Sequence, residues 1–135
     1  MLKAPAATPS TPEMVPAEAP APSPPKGTVS QMDLGTLFEL QGAGRAFVVD
    51  VRPAFFYNLD HIPGAINLPL KSYDKVFPEK KGDFDAAVSA DKIIVLYCLD
   101  EDCPDGRSTA RKLAKDGYST SVYTGGWKEW KASGL

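Results

Sequence analysis

The sequence predicts an α/β fold in which a parallel sheet carries helices on both faces. Two apolar runs, at residues 46–51 and 92–97, are short and rich in β-branched residues, which is typical of buried parallel strands. Stretches with helical spacing of apolar residues separate these runs, and glycines or prolines end most of them. Strands that alternate with helices indicate a parallel sheet, because each parallel connection has to cross over the sheet.

The predicted elements follow one another from residue 30 onward. Ser30 is the predicted N-cap of a first helix, which glycines at positions 42 and 44 end. Pro53 ends the strand at 46–51, a short helix follows at 54–59, and a turn leads into a short strand at 66–68. Residues 69–82 are predicted to be irregular. The remaining predicted elements are a short helix at 84–88, the central strand at 92–97, a helix at 108–115, a short strand at 121–123 and a last helix at 127–132.

The N-terminal residues have a composition that does not suit a folded core. Eight of the thirteen prolines lie in residues 1–25, which contain no aromatic residue and no apolar periodicity. Such a segment cannot bury enough apolar surface to offset its conformational entropy. We therefore predict a disordered Pro/Ala-rich tether over 1–27 and one folded domain over 28–135. The tether is neutral by its own residues, so the domain carries the whole net charge of −2.

Charge and hydropathy disfavour several classes of partner. The domain has no basic stripe with interleaved aromatic residues, so we expect no nucleic-acid binding. No apolar run reaches the length of a membrane span, and the N-terminus lacks the apolar core of a secretory signal. We expect a monomer whose tether can reach a protein partner. The compartment stays open between a cytoplasmic domain with a tail and a periplasmic or membrane-tethered domain whose anchor preceded the tether.

Cys98 occupies the most informative position in the chain. It follows the predicted central strand, and after a loop at 99–106, Arg107 opens the next helix. In open α/β sheets, ligands bind beyond the carboxyl ends of the strands. Backbone N–H groups and the helix dipole favour negative charge there, which favours a thiolate. The sequence therefore predicts that Cys98 is a nucleophile.

A second cysteine, Cys103, lies in the same loop. The C-x4-C spacing is not a metal signature, because two more ligands would be needed and His61 is the only histidine. We expect no metal and no cofactor. A bond between the two sulfurs would close a small ring and would act as a reversible redox pair rather than as a structural staple. We predict that mild oxidation joins Cys98 to Cys103, with Cys103 resolving what Cys98 has taken up.

Five separate stretches of the domain resemble the rhodanese family, in the order and rough spacing that the family has. The resemblance covers residues 28–135 and implies a five-stranded parallel sheet flanked by helices, with an active-site loop directly after the cysteine-bearing strand. The stretches are Asp50-Val51-Arg52, the run HIPGAINLP that begins at His61, Val95-Leu96-Tyr97-Cys98, Gly106-Arg107-Ser108 and the GGWxxW motif that begins at Gly125.

The resemblance also implies a chemistry and the residues that perform it. A Cys98 thiolate would attack the outer sulfur of a small anionic donor such as thiosulfate, and a thiol or cyanide acceptor would then remove the sulfur from the persulfide. Arg107, with Gly106 and Ser108, would bind the donor, since a guanidinium suits an oxyanion. Loop N–H groups would stabilise the anionic persulfide. By the resemblance, Arg52 would lie near this loop. Asp50 and Arg52 are candidates for a catalytic role, but the residue types favour an ion pair that ties the loop to the sheet.

The loop departs from the family pattern, in which four residues separate cysteine and arginine. Here eight residues lie between Cys98 and Arg107, and they include Cys103 and four acids. The acids would repel an anionic donor and disfavour a thiolate, unless they point into solvent. Cys103 is an alternative nucleophile, because it lies close to Arg107. The acids are Asp100, Glu101, Asp102 and Asp105.

Two other functions compete with sulfur transfer. A non-catalytic rhodanese-like module would use the loop for protein binding or for dithiol redox chemistry. An anion hydrolase is disfavoured, because phosphatase loops place cysteine and arginine five residues apart and neither cysteine has that spacing to Arg107.

For His61 the sequence favours a structural hydrogen bond, and for Trp127 and Trp130 it favours packing of the last helix on the sheet.

Overall fold

The computed structural model describes residues 27–135, which form a five-stranded, all-parallel sheet flanked by helices. The strand order is β1-β5-β4-β2-β3. The fold class predicted from the sequence is confirmed. The strands are β1 (Val29–Met32), β2 (Ala46–Asp50), β3 (Ile66–Asn67), β4 (Ile93–Tyr97) and β5 (Thr120–Tyr123), and the helices are α1 (Leu34–Gly42), α2 (Ala54–Leu59), α3 (Tyr73–Ser89), α4 (Asp105–Lys115) and α5 (Gly126–Ser133).

Strand β4 lies at the centre of the sheet and separates two hydrophobic layers. It pairs with β2 on one side and with β5 on the other. Its successive side chains point to opposite faces, as a strand requires. Ile94 and Leu96 pack with residues of α3 and α4, whereas Val95 and Tyr97 pack with residues of α1 and α5. The sheet is therefore covered on both faces, and β4 delivers Cys98 to its carboxyl edge.

The N-terminal end of the fold differs from the sequence prediction. Ser30 is not a helix cap but part of the edge strand β1, which pairs with β5. The N-cap of α1 is Asp33, whose carboxylate accepts a 2.9 Å hydrogen bond from the Thr36 N–H and thereby lowers the pKa of Asp33 below its usual value. Strand β1 is short and mostly exposed, so its residues carry no apolar pattern that sequence reasoning could detect.

The prediction of irregular structure over 69–82 is wrong. A short 3-10 turn, Leu70–Ser72, leads into α3, a helix of 17 residues that continues through Pro78. Proline removes one hydrogen bond from a helix interior. Packing outweighs that cost, because Tyr73, Phe77 and Phe84 are buried on one side of α3, with the Phe77 ring centroid 5.1 Å from that of Tyr73 and 5.4 Å from that of Phe84.

Gly27, the first described residue, contacts the domain. The Gly27 N–H donates a 2.9 Å hydrogen bond to the Ala114 carbonyl, and a Cβ at position 27 would stand 2.0 Å from the Tyr118 carbonyl oxygen. Gly27 is therefore bound to the domain. The prediction of a disordered tether otherwise falls on residues 1–26, which lie outside the described residues. None of the helices within 27–135 is both long and apolar enough to cross a membrane.

Candidate active site

Cys98 directly follows β4, and its side chain is only 7 % exposed. The first turn of α5 holds the carbonyl groups of Cys98 and of the next residue. The Trp127 N–H donates to the Cys98 carbonyl at 2.9 Å, and the Lys128 N–H donates to the Leu99 carbonyl at 2.8 Å. These amides have no partner within their own helix, so α5 uses them to fix the start of the loop.

Gly126 makes that contact sterically possible. Its φ of +68° is in the left-handed region, and a Cβ there would stand 2.7 Å from the carbonyl oxygens of Cys98 and Leu99. The sequence predicted only a turn at Gly125-Gly126. The contact of Gly126 with the cysteine loop was not predicted from the sequence, although Gly126 belongs to the GGWxxW motif.

The two cysteines of the loop are joined by a disulfide bond, with their Cα atoms 6.2 Å apart. Cys103 is half-buried, whereas Cys98 is buried. Asp100 shapes the turn between them: its carbonyl accepts from the Cys103 N–H at 3.2 Å, and its Oδ1 accepts from the Asp102 N–H at 3.1 Å. Two loop amides therefore point to Asp100, and these two are not free to face a persulfide in the disulfide form.

The four acids of the loop do not share one environment. Glu101 and Asp102 are exposed, whereas Asp100 and Asp105 are half-buried. A carboxylate oxygen of Asp105 and the two sulfurs all lie within 4.8 Å of one another. This is the one group of potential metal ligands within residues 27–135. While the sulfurs are bonded to each other, they are not thiolates, and the group offers a metal only the carboxylate.

Helix α4 starts three residues earlier than predicted, at Asp105, so Gly106, Arg107 and Ser108 lie in its first turn. Gly106 is buried, and a Cβ there would stand 3.2 Å from Cγ1 of Val122. Arg107 is half-buried and has no carboxylate within ion-pair distance in the described part of the chain.

Arg107, Gly106 and both cysteines line one small cavity, whereas Ser108 does not. Its volume is about 10 Å³, which is roughly enough for one water molecule. In this disulfide form the site therefore has no room for a thiosulfate ion.

A buried ion pair, Asp50–Arg52, lies beside Trp127 of α5. Asp50 is fully buried and accepts hydrogen bonds from the Arg52 Nη2 at 2.7 Å and from the Tyr97 hydroxyl at 2.6 Å. Arg52 also donates to the Asp60 carbonyl at 2.7 Å, and its guanidinium lies 5.4 Å from the Trp127 ring. The expected Asp50–Arg52 ion pair is thus present, and it connects the ends of β2, β4 and α2 to the start of α5.

Comparison with protein families gives the identity of this arrangement. The model of the rhodanese-like domain matches residues 34–133, which are most of the chain. The chain belongs to the rhodanese-like family. In this rhodanese-like domain, a disulfide bond closes the cysteine-bearing loop after β4.

Relatives of this rhodanese-like domain include proteins of different kinds. The chain is 33% identical over 99 residues to the HTH-type transcriptional regulator Rv0324 of Mycobacterium tuberculosis, covering 73% of this chain and 40% of the regulator. It is 29% identical over 93 residues to the thiosulfate:glutathione sulfurtransferase of Saccharomyces cerevisiae, covering 64% of this chain and 66% of that protein. The chain thus spans less than two thirds of either relative, and distant homologues include both a sulfurtransferase and a transcriptional regulator.

A solved structure has the same architecture. The human single-domain sulfurtransferase TSTD1 is 27% identical to this chain, with a TM-score of 0.56, and the match covers 76% of this chain and 95% of the human protein. The correspondence therefore extends over nearly the whole of a single-domain sulfurtransferase.

His61 has a structural contact in the rhodanese-like domain, as the sequence favoured. Its Nδ1 lies 2.8 Å from the Tyr57 carbonyl, and its ring stacks on the Tyr57 ring with centroids 3.9 Å apart. Trp130 is buried against the sheet, whereas Trp127 is half-buried beside Arg52. None of these side chains lines the cavity at the cysteines.

Buried tyrosines make the stability of the domain sensitive to alkali. Burial, followed by the nearby Asp50 carboxylate, raises the pKa of Tyr97 far above its usual value, and burial with a hydrogen bond to a carboxylate raises the pKa of Tyr73 and Tyr123 likewise. In the unfolded state these tyrosines ionise near pH 10, whereas in the folded state they stay neutral. Their contribution to the free energy of unfolding is therefore fully present below about pH 10 and is lost as the pH rises further. We expect the urea midpoint to fall between pH 9 and pH 11, measured by circular dichroism; a constant midpoint would contradict this assignment.

Proposed function

We propose that this rhodanese-like domain is a sulfurtransferase that carries sulfane sulfur on Cys98 from an anionic donor such as thiosulfate to a thiol or cyanide. The observation that carries the proposal is the position of Cys98, between the end of β4 and the first turn of α4, on a cavity shared with Arg107. The similarity to the yeast and human sulfurtransferases supports the same reaction class.

The reaction requires the disulfide to be reduced first, because only a free thiolate is a nucleophile. The Cys98 thiolate then attacks the outer sulfur of thiosulfate, a bond forms between the two sulfurs, and sulfite leaves with the electron pair of the broken sulfur–sulfur bond. Arg107 and the N-terminal amides of α4 attract the dianionic donor. The acceptor thiolate or cyanide removes the sulfur and regenerates the Cys98 thiolate.

A second candidate function is a dithiol redox or protein-binding module. The Cys98–Cys103 bond is the observation that favours it, since such a module would cycle between the dithiol and the disulfide without a persulfide. The two functions differ in whether sulfur from the donor becomes attached to the protein.

Intact mass measured on the reduced protein after incubation with thiosulfate separates these functions. We expect Cys103→Ser to gain one sulfur atom and Cys98→Ser to gain none. The reason is that Cys98 directly follows β4, at the strand end where ligands bind in open α/β sheets. The two variants are matched controls for each other, since each leaves one thiol in the same loop. Uptake by Cys98→Ser alone would assign the nucleophile to Cys103, and no uptake by either would leave the redox or binding module.

A further inference from the structure

We infer that Cys103 acts as an internal acceptor, which expels the transferred sulfur from Cys98 as hydrosulfide and closes the Cys98–Cys103 disulfide. This inference rests on the proposed function, because Cys98 must first take up a sulfur atom. It goes further in naming the product, which is free hydrosulfide rather than a sulfurated acceptor, and in naming the reductant class, which is a dithiol.

The loop brings the two sulfurs together in the folded domain. The Cα separation of 6.2 Å is within the usual range for bonded cysteines. The turn that returns Cys103 to Cys98 is held by the two hydrogen bonds that Asp100 accepts, and α4 begins two residues after Cys103. The same turn would present a Cys103 thiolate to the sulfur of Cys98 once the disulfide has been reduced.

The space beside Cys98 makes Cys103 and the transferred sulfur exclude each other. In the disulfide form, the atom bonded to the Cys98 sulfur is the sulfur of Cys103, and the cavity beside the pair holds about one water molecule. The outer sulfur of a persulfide needs that same single bond of the Cys98 sulfur. Donor sulfur can therefore be attached only after the disulfide has been reduced, and the bond to Cys103 re-forms only as the outer sulfur leaves.

The chemistry balances with the two thiols as the source of electrons. The Cys103 thiolate attacks the inner sulfur of the protonated Cys98 persulfide. The new bond joins the two cysteine sulfurs, the bond from Cys98 to the outer sulfur breaks, and the outer sulfur leaves as hydrosulfide with its proton and the electron pair. The sulfane sulfur is reduced by two electrons, and the two cysteines are oxidised to the disulfide.

An external dithiol completes the cycle. Cys103 is half-buried and Cys98 is only 7 % exposed, so the incoming thiolate attacks the Cys103 sulfur and releases the Cys98 thiolate as the leaving group. The second thiol of the reductant then frees Cys103 and forms the reductant's own disulfide. Exposed Glu101 and Asp102 repel an anionic reductant, so a neutral or cationic dithiol fits the loop best.

A single-turnover experiment tests this inference. The chain is reduced, freed of reductant and mixed with thiosulfate, and free sulfide and intact mass are then measured. We expect the parent chain to release one equivalent of sulfide and to lose two hydrogens as the disulfide closes. Cys103→Ser, with Cys103→Ala as a second version, should instead retain one added sulfur atom and release sulfide only after dithiothreitol is added. Cys98→Ser should do neither.

The outcomes separate this inference from the proposed function. If the parent chain keeps the added sulfur and releases no sulfide, as Cys103→Ser does, the internal acceptor is overturned while sulfur uptake on Cys98 stands. If Cys103→Ser and Cys103→Ala take up no sulfur, uptake on Cys98 fails, and the internal acceptor fails with it.

Discussion

Replacing Asp50 by alanine is expected to lower the free energy of unfolding by about 3–5 kcal/mol, because it leaves a buried guanidinium without its partner. Arg52 is 5 % exposed and directs both Nε and Nη2 at Asp50, so no solvent replaces the lost carboxylate. The Tyr97 hydroxyl loses its acceptor as well. Since small domains have a total stability of about 5–15 kcal/mol, this change brings the domain close to unfolding.

Urea denaturation followed by tryptophan fluorescence and circular dichroism measures the effect. Asp50→Asn is the milder version, which keeps the side-chain shape while it removes the charge, and it remains measurable if the alanine variant does not fold. Lys81→Ala is the control, because Lys81 forms an exposed i,i+4 ion pair with Asp85, and exposed ion pairs contribute little to stability. Equal losses in the Asp50 and Lys81 variants would refute a structural role for the buried pair.

Replacing Gly126 by alanine is expected to cost about 2–5 kcal/mol, from the positive φ together with overpacking against the loop. The added Cβ would meet backbone atoms of Cys98 and Leu99 at 2.7 Å, and backbone atoms cannot rotate away as a flexible side chain can. The loop must move off the amides of Trp127 and Lys128, so we also expect slower sulfur uptake by Cys98.

Gly44→Ala is the matched control for Gly126→Ala. Gly44 has a similar φ of +71°, but no atom lies within 4 Å of the position that its Cβ would take. It should therefore show the backbone cost alone, about 1–2 kcal/mol, with sulfur uptake unchanged. The urea midpoints and the rates of sulfur uptake are measured for both variants. Identical values would mean that the close approach of α5 to the loop affects neither stability nor uptake.

The interior strands of the sheet were predicted from the sequence, whereas the edge strand β1 was not. The interior strands β2 and β4 were predicted nearly to the residue, because a strand covered on both faces needs a continuous apolar run. Strand β1 was missed because it lies at an edge and is exposed, and its strand conformation comes from pairing with β5. Helix α3 was mostly missed for a related reason. Pro78 and Gly82 oppose a helix locally, and only the aromatic contacts of Tyr73, Phe77 and Phe84 outweigh them.

Some features of the candidate site were predicted from the sequence and others were not. Residue types and order placed Cys98 at the end of the central strand, put Arg107 at the start of a helix and paired Asp50 with Arg52. Sequence reasoning did not find the Gly126 contact, because Cys98 and Gly126 are remote in sequence and meet only when β4 and α5 are packed. It also left open the environment of the loop acids, of which Glu101 and Asp102 are exposed whereas Asp100 and Asp105 are half-buried.

The architecture, the family pattern and the candidate nucleophile could be inferred from the residues alone, because they depend on local apolar patterns and on short contiguous motifs. The position of Asp105 beside both sulfurs and the contact between the first turn of α5 and the cysteine loop became evident only in the folded domain. These contacts join different elements, so they depend on packing distances, which are a property of the whole fold rather than of any one segment.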